Sequence, residues 1–136
     1  REALARLEAG TWRPVHVLTH GDLWRGNVLR WPRHAWWRDQ PPRVRFVLID
    51  WRGSRPRGHA VTDLLRLVDS LRAGPRVLRR QLERHRWALG CELQDARGYL
   101  LAGLGVAGQD LGCIEPRRWV LGAEALWAQL LEALEL

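Results

Sequence analysis

Three oxygen-bearing side chains flank two short apolar runs near the start of this chain. Asp22 and Asn27 lie five residues apart in the stretch HGDLWRGNVL, and Asp50 ends the run VRFVLID. Hard divalent cations prefer oxygen ligands, and Mg²⁺ takes one or two carboxylates together with phosphate oxygens and water. Asn27 and Asp50 fit that role, which leaves Asp22 as a separate carboxylate able to orient or deprotonate an alcohol. This division of labour is typical of phosphoryl transfer.

The two apolar runs have to pair if these groups are to meet. Residues 28–31 and 44–50 are predicted as the strands of an antiparallel hairpin, because apolar residues alternate along the second run. Antiparallel pairing brings Asn27, before the first strand, to the same end as Asp50, at the exit of the second. The segment between them, at 32–42, contains three Pro and no regular period, so it is predicted as a loop.

The rest of the chain is predicted to be mainly helical. A strand at 15–20 leads into Asp22, and 51–60 is predicted as a second loop. Composition and apolar spacing predict five helices, at 2–9, 63–73, 76–89, 92–105 and 115–134. The predicted fold class is therefore α+β. We expect one domain over 1–136, with a site-bearing core at 15–63 and a helical part at 64–136.

Composition narrows the class of protein. With 46% hydrophobic and 27% charged residues, the chain is predicted to be globular. Its longest apolar stretch, GYLLAGLGVAG, is too short to span a bilayer, and its first residues lack the apolar segment of a signal peptide. Cys91 and Cys113 form neither a disulfide framework nor a zinc motif. We therefore expect a reducing, cytoplasmic location, with both thiols packed as small apolar groups.

Two motifs resemble a known family of small-molecule kinases. HGDLWRGNVL and VLIDW are similar to the catalytic loop and metal-binding motif of the aminoglycoside phosphotransferase and choline kinase-like family. HGDLW is also similar to fructosamine kinases. The resemblance runs from Val17 to about Leu67 and implies the C-terminal lobe of a protein-kinase-like fold. It implies transfer of the γ-phosphoryl group of ATP, with Mg²⁺, to a hydroxyl of an aminoglycoside-, sugar- or choline-like molecule.

The same resemblance implies roles for individual residues. Asp22 is the catalytic residue that orients the acceptor hydroxyl, and Asn27 and Asp50 hold magnesium. Leu29, with Ile49 beside it, forms an apolar floor beneath the adenine of the nucleotide.

Two further residues are expected to support the site. GHAVTDLLRL is similar to a family segment whose Asp braces the catalytic loop through backbone hydrogen bonds, and that residue here is Asp63. The alternative for Asp63, at the start of a helix, is an N-terminal cap. His20 is interpreted as a structural histidine that bonds to backbone.

The other half of the family's nucleotide site does not occur in this sequence. The family's N-terminal lobe covers the phosphates with a loop and grips them with a Lys. This chain contains no Lys, and too few residues precede His20 to form a lobe. We expect that the lobe either lies upstream of Arg1 in a longer protein or has been lost. The chain alone is therefore expected to be inactive, because half a site positions the reactants poorly.

Two other functions stay open. The first is a degenerate kinase lobe that is not catalytic and acts as an interaction module. The second is a nucleic-acid-binding module, suggested by the net charge of +7 and by the Trp and Arg residues that interleave at 31–43. All 22 basic residues are Arg, which indicates a codon bias rather than a phosphate-binding patch. The expected partners are therefore a nucleotide and a small-molecule acceptor, and not nucleic acid.

Overall fold

The computed structural model describes four stretches of the chain, residues 2–31, 45–109, 111–112 and 114–136. The predicted loop at 32–42 and the predicted packing of Cys113 lie outside these residues. Within them the chain is α+β and mainly helical, with two small antiparallel sheets, so the coarse fold class is confirmed. The same stretches contain no helix that is both long and apolar enough to cross a membrane.

One sheet is the predicted hairpin. β2 (Val28–Trp31) pairs antiparallel with β3 (Arg45–Leu48), and Val28 lies opposite Leu48 in the register. The predicted pairing is therefore confirmed where the structure describes it, although the second strand ends at Leu48 rather than at Asp50.

The other sheet corrects the prediction of a loop at 51–60. β1 (His16–Thr19) pairs antiparallel with β4 (Arg55–His59), after a short 3₁₀ turn at Trp51–Gly53. The sequence RPRGH hides this strand because it contains Pro and Gly and no apolar alternation. Pro is tolerated here because β4 is an edge strand: among the described strands it pairs with β1 alone. Gly58 is required because a Cβ there would lie 2.1 Å from Thr19 Oγ1.

All five predicted helices are present, each with bounds within a few residues of those expected. They are α1 (Glu2–Glu8), α2 (Thr62–Ser70), α3 (Pro75–Leu89), α4 (Asp95–Gly108) and α5 (Pro116–Glu135). Their ends follow the local signals of the sequence. α3 begins at Pro75 and is followed by Gly90 at φ 60°, while Glu115 caps α5 by accepting hydrogen bonds from the backbone N–H groups of its first turn.

The core lies among the helices rather than within either sheet. The largest fully buried side chains are Leu65, Leu78, Leu82, Tyr99, Leu100 and Leu130. Because α2 contributes to this core, its opposite face is held in a fixed orientation toward the loop at 20–25.

Two contacts tie the N-terminal segment to the core. Asp95, buried at the start of α4, forms an ion pair with Arg6 of α1. The hydroxyl of Tyr99 accepts a hydrogen bond of 2.8 Å from the backbone N–H of Val15, and its ring meets Trp12 edge-on at 5.5 Å. Burial raises the pKa of Tyr99, so this hydroxyl stays protonated. The chain is therefore anchored to the helical core directly before β1, which leads into the candidate loop.

Candidate active site

The turn at His20–Asp22 is held from beneath by the first turn of α2. One carboxylate oxygen of Asp63 accepts a hydrogen bond of 2.6 Å from the backbone N–H of His20, and the other accepts one of 3.0 Å from Gly21. These are the backbone contacts that the resemblance implies for Asp63. The residue that precedes α2 is Val61, so Asp63 lies inside the first turn of the helix and not at the capping position. The carboxylate thus fixes the direction in which the chain enters Asp22.

Gly21 is required by both backbone conformation and space. Its φ is 79°, which a residue with a Cβ adopts only at a cost. A Cβ at this position would also lie 2.1 Å from the carbonyl oxygen of Gly53. The loop that carries Asp22 therefore presses directly against the 3₁₀ turn that follows Asp50.

His20 is a structural histidine, as interpreted from the sequence. The side chain is buried, and Nε2 donates a hydrogen bond of 2.8 Å to the carbonyl oxygen of Ile49. The ring also packs against Trp51 at a centroid distance of 4.6 Å. His20 thereby connects the start of the loop to the residue that precedes Asp50.

Asn27 closes the same loop from the other side. Its Nδ2 donates to the backbone oxygen of Asp22 at 2.9 Å and lies 3.4 Å from the carboxylate Oδ2. Its backbone oxygen accepts a hydrogen bond of 3.0 Å from the N–H of Ile49. Asn27 is buried, and its Oδ1 has no hydrogen-bond partner among the described residues, so this oxygen is free to act as a ligand.

Asp50 follows Ile49 directly and therefore lies at the Asn27 end of the hairpin. Its side chain is about half exposed and lies 3.7 Å from Arg52 Nε, a distance at which an exposed pair contributes little. Its backbone is left-handed, with φ 59° and ψ 62°. The carboxylate oxygens are accessible. That Asn27 and Asp50 share one cation stays a prediction, as does the catalytic role of Asp22.

Two residues that hold this loop were not predicted from the sequence. Arg66 Nη1 donates to the backbone oxygen of Gly21 at 3.0 Å and to Asp22 Oδ1 at 3.3 Å. Ser70 Oγ accepts a hydrogen bond of 2.9 Å from the backbone N–H of Arg25. Together with Asp63 these residues follow the i, i+3, i+7 spacing of one helical face. That polar stripe, opposite the apolar face of α2, is the signal that could have identified them.

Leu29 and Ile49, the predicted adenine floor, lie on one face of the hairpin. Leu29 is opposite Val47 in the register, and Ile49 follows two residues after Val47, so the three side chains project to the same side. Leu29 is 45% exposed and Ile49 is 38% exposed, so neither is covered by the described helices. A nucleotide contact at this apolar face stays a prediction.

The arrangement suits oxygen-ligand chemistry rather than a zinc centre. Within the described stretches, no three His, Cys, Asp or Glu side chains are grouped as metal ligands. The candidate site instead offers one amide oxygen, one accessible carboxylate at the same end of the hairpin and a second carboxylate on the loop before it. This set matches Mg²⁺, which keeps several waters and takes few protein ligands.

Comparison of this chain with protein-family models, with curated proteins and with solved structures finds no match. The similarity to small-molecule kinases therefore depends on the three short motifs quoted above.

Proposed function

We propose that this chain is the catalytic-loop lobe of an ATP-dependent phosphotransferase that acts on a hydroxyl of a small molecule. The observation that carries the proposal is a closed set of hydrogen bonds around Asp22. Asp63 binds the backbone before it, Arg66 binds its carboxylate, and Asn27 binds its backbone oxygen. These contacts fix the backbone on both sides of Asp22 and leave its carboxylate more than half exposed, as an acid that meets an acceptor requires.

Asp22 acts on the acceptor. Its carboxylate accepts the hydrogen bond of the acceptor hydroxyl and takes that proton as the new oxygen–phosphorus bond forms. The bond between the γ-phosphorus and the bridging oxygen breaks at the same stage, and ADP leaves. Because phosphoryl transfer depends on positioning and on charge stabilisation, a rigidly held acid is the main contribution that this lobe makes.

Asn27 and Asp50 would hold Mg²⁺ through Asn27 Oδ1 and the Asp50 carboxylate. Two observations support this assignment: Asn27 Oδ1 has no hydrogen-bond partner among the described residues, and the Asp50 carboxylate is accessible. The ion would supply charge neutralisation for the phosphates. Leu29 and Ile49 would contact the adenine through their exposed apolar face.

The first test measures the metal site in the chain as it stands. Mn²⁺ accepts the same oxygen ligands as Mg²⁺ and broadens the NMR signals of nearby nuclei. We expect the amide signals of Asn27 and Asp50 to broaden first, and Asp50→Asn to abolish this effect. Asp69→Asn is the matched control, because Asp69 is an exposed acid of α2 whose side chain has no partner among the described residues. Broadening centred elsewhere, or unchanged in Asp50→Asn, contradicts the metal assignment.

The second test measures turnover in the gene product that contains residues 1–136 together with anything encoded upstream. ATP-dependent phosphorylation is assayed over a panel of aminoglycosides, sugars and choline-like alcohols. Asp22→Asn should reduce turnover by about 10²- to 10⁴-fold with nucleotide affinity unchanged, because it removes the base and keeps the shape. Arg25→Ala should leave turnover unchanged, since the described contact of Arg25 is through its backbone N–H. Equal turnover in wild type and Asp22→Asn contradicts the proposal.

A non-catalytic lobe is the second candidate, and the ion pair between Arg66 and Asp22 is what favours it. In that case Arg66 neutralises the acid permanently as a structural contact. The two tests separate the candidates, because a structural lobe shows neither Mn²⁺ broadening at Asn27 nor turnover that depends on Asp22.

A further inference from the structure

Two histidines face each other across the sheet of β1 and β4, outside the site described above. His16 and His59 are register partners on the two antiparallel strands. Their ring centroids lie 5.3 Å apart, and the ring planes are tilted by 47°. Side chains that lie directly opposite on antiparallel strands have Cβ atoms only about 4.5–5.5 Å apart, so both rings can reach one bound ion.

Neither imidazole is used by the fold. Within the described residues, no hydrogen bond reaches a ring nitrogen of His16 or His59, and Nδ1 of His59 is buried without a partner. His20 and His85 differ in that each bonds a backbone carbonyl oxygen through one ring nitrogen, although Nδ1 of His20 is also buried without a partner. The ring nitrogens of His16 and His59 are therefore available to bind a ligand.

The spacing of the two rings suits a transition metal ion. Imidazole nitrogen is a preferred ligand of Zn²⁺, Cu²⁺ and Ni²⁺. Two imidazoles bound tetrahedrally to one Zn²⁺, through bonds of about 2.0–2.1 Å, have ring centres roughly 5 Å apart. The observed separation of 5.3 Å agrees with that value.

We propose that His16 and His59 form a two-histidine site for a divalent transition metal ion such as Zn²⁺, with the remaining coordination positions open to water or to an exogenous ligand. In His59 the buried Nδ1 leaves Nε2 as the ligand atom. The site is chemically distinct from the oxygen site at Asn27 and Asp50, and it does not depend on the proposed kinase function.

A second buried polar group without a partner lies near His59. Thr62 Oγ1 is buried without a hydrogen bond, and it lies against Gly103, which also approaches Cβ of His59. When a metal occupies Nε2, the ring keeps its proton on Nδ1, and metal-bound histidines usually donate this proton to a nearby acceptor. In the structure neither group has a hydrogen-bond partner, so a bond from Nδ1 to Thr62 Oγ1 would form only as a bound metal fixes the ring.

A metal ion bound by both histidines would cross-link β1 and β4, the two strands that flank the candidate loop. β1 leads directly into His20 and Asp22, and β4 follows the turn after Asp50. An ion that binds the folded protein and not the unfolded chain stabilises it by mass action. Occupancy would therefore rigidify the loop without touching its reactive groups.

The test is a Zn²⁺ titration of the whole chain, carried out in a His34→Ala background so that this additional imidazole does not contribute. We expect one bound Zn²⁺ per chain and a rise in the thermal midpoint that Mg²⁺ does not reproduce. His16→Gln and His59→Gln should each weaken Zn²⁺ binding at least tenfold, because one ligand is lost. His85→Gln is the matched control and should bind as the parent does, since α3 carries no second histidine that could share a metal ion with His85.

NMR of the imidazole resonances provides a readout that does not require a variant. Zn²⁺ should shift the ring signals of His16 and His59 together, at the same metal concentration, and leave those of His20 and His85 in place. Thr62→Val, which keeps the volume and removes Oγ1, should weaken binding about tenfold. Equal affinity in the parent and in His16→Gln, or ring signals of His16 and His59 that do not move, overturns the proposal.

Discussion

The hydrogen bonds from Asp63 to the loop allow a quantitative prediction. Asp63→Asn keeps the size of the side chain but replaces one acceptor oxygen with an NH₂ group. The carboxylate now accepts from two backbone N–H groups, those of His20 and Gly21. After the substitution one of these bonds becomes neutral, and the other N–H faces a second donor.

The expected cost follows from the surroundings of each bond. A hydrogen bond to a charged group contributes about 1.5–3 kcal/mol, and a neutral one about 0.5–1.5 kcal/mol. The N–H of His20 is partly buried, so water replaces its lost partner poorly, whereas that of Gly21 is exposed. We therefore expect Asp63→Asn to lower the free energy of unfolding by about 2 kcal/mol.

Urea denaturation measures this free energy, and amide hydrogen exchange identifies where it is lost. The N–H of His20 should lose protection in Asp63→Asn. Asp69→Asn, on the same helix, should change the free energy by less than about 0.5 kcal/mol, because Asp69 is exposed and unpaired among the described residues. Equal stability of the two variants, together with unchanged exchange of the His20 N–H, would contradict the role of Asp63 in holding the loop.

Three further predictions concern the loop and the sheets. Gly21→Ala should lower the free energy of unfolding by more than about 2 kcal/mol because of its positive φ and close contact, whereas Gly105→Ala, in open space within α4, should raise it by about 0.5–1 kcal/mol; urea denaturation measures both. Burial, and next a neighbouring His, lowers the pKa of His59 below 6.5 in the folded state, so the unfolded chain binds more protons just below that pH. Stability should therefore be complete above about pH 6.5 and fall as the pH drops through the folded pKa, and His59→Gln should flatten that slope in thermal unfolding. Arg66→Gln should cost less than about 1 kcal/mol in urea denaturation, because its ion pair with Asp22 is partly exposed; a loss above 2 kcal/mol would contradict this.

Local signals predicted most of the fold. The five helices were identified because apolar spacing, Pro and Gly punctuation and helix-forming composition all depend on neighbours in sequence. The hairpin of β2 and β3 was predicted for the same reason, since alternation in the second run indicates a strand. Asp63 was identified as a support of the loop because its segment resembles a family motif, and the hydrogen bonds to His20 and Gly21 agree with that role.

The features that were missed depend on contacts between distant residues. β4 has Pro56 and Gly58 and no apolar alternation, and it is a strand because β1 accepts it as a neighbour. The Gly58 contact with Thr19 spans 39 positions of the chain, so no local window contains it. In the sequence, Arg66 and Ser70 look like ordinary helix-surface residues. Their role is visible only in the folded chain, where the loop at 20–25 contacts them.

The backbone of Asp50 has a left-handed conformation, as do few residues with a Cβ. A left-handed conformation costs about 1–2 kcal/mol for a residue with a Cβ, and Gly adopts it freely. Packing does not explain Asp here, because the side chain is about half exposed. Two bonds of Ile49 fix the chain directly before Asp50: its N–H bonds Asn27, and its carbonyl oxygen accepts from His20. Asp is among the residues with a Cβ that visit this conformation most readily, so Asp50 can hold the turn and also present an accessible carboxylate to the cation that we propose.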